Sequence, residues 1–218
     1  MDSSAGIGMT SQRARNRLVD LLRDMGIDSE QVLEVIRTIP RHLFVDEALG
    51  SRAYENTALP IGYGQTISQP YTVALMTSLL LDSGSMKKVL EIGSGCGYQA
   101  AVLSHFSGRV FSVERIKGLF EKTENRLKQL KYTNVRMKYG NGFSGWVANA
   151  EYDAILVAAA PVDVPEQLLS QLAIGGRLVI PIGIAGHQKL RLFTRNESGV
   201  SEQLIDDVSF VPLLDGVQ

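Results

Sequence analysis

The sequence predicts an α/β protein: a mostly parallel central sheet with helices on both faces, an N-terminal helical extension and an antiparallel edge hairpin at the C-terminus. Three observations carry this. From residue 88 onward, apolar runs of four to six residues alternate with amphipathic segments, the pattern of strand–helix units in a sheet buried on both faces. Before that point, apolar residues recur at helical spacing among charges. Near the end, two strand-like runs flank the turn formers Asn196-Glu-Ser-Gly199.

Taken in order, Leu18, Leu21, Leu22 and Met25 mark a first helix that Gly26 stops. Ser29 is placed to cap a second helix carrying Val32, Val35, Ile36 and Ile39, closed by Pro40. Residues 57–69 are rich in turn formers and lack a helical stripe, so they read as a loop. Pro70 is a first-turn proline opening a helix to Leu81. Strands are expected at Val89–Ile92, Val110–Val113, Val135–Tyr139, Ala154–Val157 and Arg177–Ile180. Between them fall helices at Tyr98–Phe106, Ile116–Leu130 and Val164–Leu172, and the hairpin pairs Leu190–Thr194 with Ile205–Val211. The expected organisation is a frayed tail over residues 1–9 and one domain over 10–218, in which 10–69 is an extension and 70–218 the α/β core.

Composition narrows the function. A chain of 218 residues with 44% apolar and 21% charged residues is ordinary globular material. Its net charge of −1 creates no broad field for nucleic-acid phosphates. No run of 18 apolar residues exists to span a membrane, and the N-terminus lacks the basic start and apolar run of a secretory signal. A single cysteine, Cys96, fits a reducing cytoplasm. The expectations are therefore a cytoplasmic protein with no nucleic-acid or membrane partner and no metal; it is further expected to be a monomer, although nothing in the sequence fixes the oligomeric state.

The chemistry concentrates after the first core strand. Val89-Leu-Glu-Ile-Gly93-Ser-Gly95-Cys-Gly97 puts glycines at alternate positions in a strand-to-helix turn, where open α/β sheets bind ligands. One glycine would suffice for a bare turn; three favour a ligand approaching the backbone. The dinucleotide fingerprint fails, because Tyr98 stands where its last glycine belongs. Glu114, 17 residues after Gly97 at the end of the next strand, can accept hydrogen bonds from both hydroxyls of a ribose.

Glycines at alternate positions with a strand-end glutamate resemble the S-adenosylmethionine motif of the seven-strand methyltransferases, as do Tyr152–Pro161 and Leu172–Pro181. Ala58-Leu-Pro-Ile-Gly-Tyr-Gly-Gln-Thr-Ile-Ser-Gln-Pro-Tyr71 closely resembles the signature of protein-L-isoaspartate O-methyltransferases, particularly the bacterial ones. Pro40–Asp46, Ala53–Asn56, Ser112–Arg115 and Phe210–Leu213 are similar to the same family, so the resemblance covers about residues 10–214. It implies a Rossmann-like methyltransferase fold and a repair reaction: methylation by S-adenosylmethionine of the α-carboxylate of L-isoaspartyl residues in damaged proteins and peptides. The ester then closes to a succinimide unaided, and hydrolysis restores some normal aspartate.

The resemblance assigns Ser68 to the acceptor carboxylate. Taken alone, Ser68 before the Pro70 helix reads as a cap. It also assigns Gln65, Thr66 and Ile67, Gly93, Ser94, Gly95 and Gly97, Glu114, and Asn141 with Gly142 to the methyl donor. Asn141 stands where the family has an aspartate that accepts from the adenine amino group; asparagine keeps an acceptor oxygen and loses the charge. A carboxylate is already ionised at neutral pH, so its attack needs no general base, and none of His42, His105 and His187 falls in a catalytic-looking cluster. Cys96 and Trp146 read as packing residues.

The runner-up is an S-adenosylmethionine-dependent methyltransferase with a small-molecule acceptor, against which only the Ser68 loop speaks. Base methylation is disfavoured because Val157-Ala-Ala-Ala-Pro161 lacks a polar group to hold an amine. A nucleoside-binding module without catalysis is disfavoured by the glycine loop, Glu114 and Ser68 occurring together.

Overall fold

The computed structural model describes residues 11–81 and 86–218; the tail expected at 1–9 lies outside them. Helix α1 spans Gln12–Asp24 and α2 spans Glu30–Thr38, followed by short 3-10 turns at Arg41–Phe44 and Glu47–Arg52. Gly26 ends the first helical run with φ +94°. Ser29 stands at the start of α2 but makes no side-chain cap bond; its carbonyl accepts from Val32 and Leu33 instead.

Residues 57–69 hold a two-stranded antiparallel hairpin, β1 (Leu59–Gly62) and β2 (Gln65–Ile67), where the sequence suggests a plain loop. Its tip is Gly62-Tyr63-Gly64, and its buried face is Leu59, Ile61 and Ile67. The strands are only four and three residues long, too short to show a period of two. Helix α3 then spans Pro70–Leu81.

The core follows as β3 (Met86–Ile92), α4 (Tyr98–Ser104), β4 (Ser107–Glu114), α5 (Lys117–Gln129), β5 (Val135–Tyr139), β6 (Tyr152–Val157), α6 (Glu166–Ser170), β7 (Leu172–Ile184), β8 (His187–Asn196) and β9 (Gly199–Val208). The seven strands β3–β9 lie in the order β5-β4-β3-β6-β7-β8-β9. Pairings are parallel from β5 to β7, and antiparallel from β7 to β9. The expected helix at Val164–Leu172 shrinks to the short α6, because Leu172 already begins the long strand β7.

Alternate strand residues feed two cores. Val89, Val110, Leu156, Val179 and Leu190 pack with Leu22, Val32, Val73, Ala101 and Leu119 of the first five helices. Leu90, Phe111, Ile155, Val157 and Ile180 pack on the other face with Leu168 of α6, Phe143 and Trp146. The two sides are thus unequal: five helices cover one, and α6 with irregular turns covers the other. The chain runs outward from β3 to β5 and returns to β6 on the other side of β3. The connections after β3 and β6 therefore diverge, which leaves a crevice at their carboxyl ends.

Candidate active site

A cavity occupies that crevice. It is lined by Gly93, Ser94, Gly95 and Cys96 after β3, by Glu114, Arg115 and Ile116 after β4, and by Ala158 and Ala159 after β6. Gln65, Thr66, Ile67 and Ser68 from β2 and its exit form another wall, and Gly142 with Val211–Leu214 closes it. Residues far apart in sequence thus converge on one space.

The glycine loop is held from several sides. Gly93 N–H donates to Val113 O at 2.9 Å and Gly97 N–H to Ser94 O at 2.8 Å. From α5, Thr123 Oγ1 donates to Gly95 O at 2.6 Å and Arg126 Nη1 to Cys96 O at 2.9 Å. Gly95 has φ +52°, and a Cβ there would come within 3.2 Å of Ile61 Cδ1 of the hairpin. The hairpin therefore sits directly against the loop, and a side chain at 95 would push it away.

Glu114 is 4% exposed. Its Oε2 accepts from Gly95 N–H and its Oε1 from Ile116 N–H, both at 2.9 Å. Burial raises its carboxyl above the usual range, opposed by these amide hydrogen bonds. Each oxygen retains a lone pair, so the carboxylate can still accept from hydroxyls in the cavity. On the neighbouring strand β3, Glu91 is fully buried and takes a hydrogen bond from Ser112 Oγ, which lies 2.5 Å from Ser94 Oγ. Burial pushes the Glu91 carboxyl up to about 8, against the Ser112 bond, and the nearby Glu114 charge adds to the rise. Glu91 and Ser112 carry no role in the sequence reading. Their signal was polar residues inside strands buried on both faces.

Ser68 lines the cavity and also a neighbouring groove that holds Thr57, Tyr71, Asp206, Asp207 and Phe210. The two spaces share Thr66, Ser68, Ala158 and Val211. The capping role falls to another residue: Asn56 Oδ1 accepts from Tyr71 N–H at 2.9 Å in the first turn of α3. Gln69, not Ser68, supplies the carbonyl that accepts from Val73 N–H. The Ser68 hydroxyl has no hydrogen-bond partner among the described residues.

Two residues assigned to the donor stand apart from the cavity lining. Gly97, with φ +89°, packs on α5: a Cβ there would meet Thr123 Cγ2 at 2.8 Å. Its glycine requirement is one of helix packing. Asn141 turns both side-chain atoms to protein partners, accepting from Phe143 N–H at 3.0 Å and donating to Asp215 Oδ1 at 2.6 Å. Cys96 is buried, its thiol pushed up by burial, which leaves it a poor nucleophile. Trp146 packs edge-on to Phe111 at 5.4 Å on the opposite face of the sheet.

A family model for protein-L-isoaspartate(D-aspartate) O-methyltransferase matches residues 12–218. The chain belongs to this family. A protein-L-isoaspartate O-methyltransferase of Halorhodospira halophila is 55% identical over 214 residues, covering 98% of this chain and 97% of that protein. One from Pseudomonas aeruginosa is 57% identical over 208 residues, covering 95% and 99%. A Plasmodium falciparum structure of this kind, solved with S-adenosyl-L-homocysteine, superposes with a TM-score of 0.79 at 27% identity, covering 92% of this chain and 98% of that one. The chain is thus a protein-L-isoaspartate(D-aspartate) O-methyltransferase by family, and full-length similarity at this level sets aside the small-molecule alternative.

Proposed function

We propose that this methyltransferase carries out its repair reaction at the junction of the cavity and the groove, with the donor in the first and the isoaspartyl peptide in the second. The observation that carries the reading is that Ser68 lines both spaces while the glycine loop and Glu114 line only the cavity. The cavity suits S-adenosylmethionine. A buried carboxylate with spare lone pairs stands where a ribose would be held, and the neighbouring Gly95 has no Cβ beneath the hairpin.

When bound, S-adenosylmethionine supplies a methyl group on a sulfonium cation, the electrophile. The protein's part is placement. Glu114 accepts from the ribose hydroxyls, and Gly93, Ser94 and Gly95 bring backbone close to the donor. Gln65, Thr66 and Ile67 cover it from the hairpin. Ser68 donates a hydrogen bond to one oxygen of the isoaspartyl α-carboxylate and leaves the other free to attack. No base is required, since the acceptor is already an anion. Charge is neutralised as the reaction proceeds, so alignment in a partly dry space is the main contribution, on the order of 7–11 kcal/mol. The same reading has the enzyme acting in the cytoplasm, which a lone buried cysteine supports, and as a monomer.

The test is methyl transfer from labelled S-adenosylmethionine to a synthetic isoaspartyl peptide and to its normal aspartyl twin. A base-labile methyl ester on the first alone is expected. Equal labelling of both, or of neither, would overturn the reading.

A further inference from the structure

The segment after β9 turns back along the cavity. Ala160 N–H donates to Val211 O and Leu213 N–H to Ala160 O, both at 2.8 Å. Farther on, Lys117 N–H donates to Gln218 O at 2.7 Å and Gln218 N–H to Arg115 O at 2.8 Å. Residues 211–218 thus form a strap from the end of β6 to the start of α5, and its first four residues line the cavity.

Between these two anchorages the strap is held by a side-chain pair, Asn141 Nδ2 donating to Asp215 Oδ1 at 2.6 Å. The other end of the amide, Oδ1, accepts from Phe143 N–H and shapes the turn after β5. The next residue, Gly142, lines the cavity with Leu213 so close that a Cβ at 142 would meet Leu213 Cδ1 at 3.1 Å. The turn and the strap therefore meet at the cavity wall, and Asn141 joins them.

We propose that Asn141 is a positioning residue: through Asp215 it holds the C-terminal strap against the donor cavity. Only an amide serves both neighbours, since one must be accepted from and the other donated to. Aspartate at 141 would keep the Phe143 bond and set two carboxylates face to face, loosening the strap. This reverses the expectation for a base acceptor, where an added charge would strengthen binding.

The inference rests on the cavity being the donor site, so both are tested together by calorimetric titration of the full chain with S-adenosylhomocysteine. Asn141→Asp and Asp215→Ala are each expected to bind about 3- to 10-fold more weakly, the scale of one ordinary hydrogen bond. In Asn141→Asp with Asp215→Asn, the amide and the carboxylate exchange places, so affinity should return to within about 2-fold of the parent, since a hydrogen bond of the same scale is remade. Asn141→Asp binding as tightly as the parent, or a loss that Asp215→Asn fails to rescue, would overturn the tether. Asp215 is exposed, so Asp215→Ala tests the idea even if Asn141→Asp folds poorly, and normal affinity in that variant also overturns it. Glu114→Ala is titrated in parallel. Full affinity there would fail the site reading itself, whereas a loss there with unchanged Asn141→Asp would fail the tether alone.

Discussion

The carboxylate of Glu114 accepts the backbone N–H of Gly95 at 2.9 Å, tying the end of β4 to the middle of the glycine loop. The residue proposed to hold the ribose therefore also shapes the loop beneath the donor. Because its second oxygen holds Ile116 N–H at the start of α5, its removal leaves two amides without their acceptor.

Glu114→Ala is expected to lower both donor affinity and stability. Lost hydrogen bonds to a charged group cost about 1.5–3 kcal/mol, or roughly 10- to 150-fold in affinity. The unpaired amides add about 1–3 kcal/mol each where water cannot reach them. Calorimetric titration with S-adenosylhomocysteine and thermal melting read the two effects separately. A variant that melts early but binds normally would leave Glu114 a brace for the loop alone and overturn the reading of this cavity as the donor site.

Ser68 and Asn56 divide what the sequence offered as alternatives for one residue. Asn56 does the capping, from 15 residues away, and Ser68 keeps its hydroxyl for the cavity. Ser68→Ala should lower kcat on an isoaspartyl peptide by about 10- to 150-fold, one hydrogen bond to a carboxylate, with its melting temperature nearly unchanged. Asn56→Ala should instead lose about 1 kcal/mol of stability, the usual cost of a lost cap. Turnover and melting measured on both variants would show the pattern. Early melting with normal turnover in Ser68→Ala would return the cap to Ser68.

Strands β3, β4 and β6 were legible because each holds an apolar run, as burial on both faces demands, and the edge strand β5 because Val135, Met137 and Tyr139 alternate with charges. The glycine loop and Glu114 were legible because their spacing is local to one strand–helix–strand unit. The hairpin β1–β2 was not, since its tip glycines and three- or four-residue strands look like loop. The strap of residues 211–218 was hidden for a different reason. It has no period of its own, and its course is set by backbone bonds to Ala160, Arg115 and Lys117 that lie far back in the chain. The partner of Asn141 was out of reach with it, because Asp215 is 74 positions away. Gly97 has a packing role that the motif alone does not show: a Cβ there would run into Thr123 of α5.

The groove beyond Ser68 carries two aspartates on β9. Asp207 pairs with Lys189 at 2.6 Å, while Asp206 has no cationic partner among the described residues. A peptide lying in this groove would bring its flanking side chains near Asp206. Isoaspartyl peptides with a flanking lysine should show about 1.5- to 5-fold higher kcat/KM than those with a flanking glutamate, the scale of one exposed charge pair. The difference should shrink at 0.5 M salt and in Asp206→Asn. A preference that survives both changes would place the peptide elsewhere.

Glu91 makes stability depend on pH in a defined direction. Its carboxyl titrates near its ordinary value of 4.5 when the chain is unfolded and at about 8 when burial holds it in the fold. Below about 4.5 both states hold the proton, and the group is neutral to stability. Between the two values only the folded state holds it. Raising the pH through this window then draws the equilibrium toward the unfolded chain, by up to about 1.4 kcal/mol per pH unit. Above 8 the cost no longer grows, because both states are ionised. Glu91→Gln keeps an oxygen for the Ser112 hydroxyl and removes the titration. Its denaturation free energy relative to the parent should therefore rise steadily from pH 5 to pH 8 and level off beyond. Urea melts of the two proteins at several pH values would trace this difference, in which His105 contributes alike to both and so largely cancels. A difference that stays flat across the window would mean that Glu91 is ionised in the folded protein, with its charge held by the serines around it.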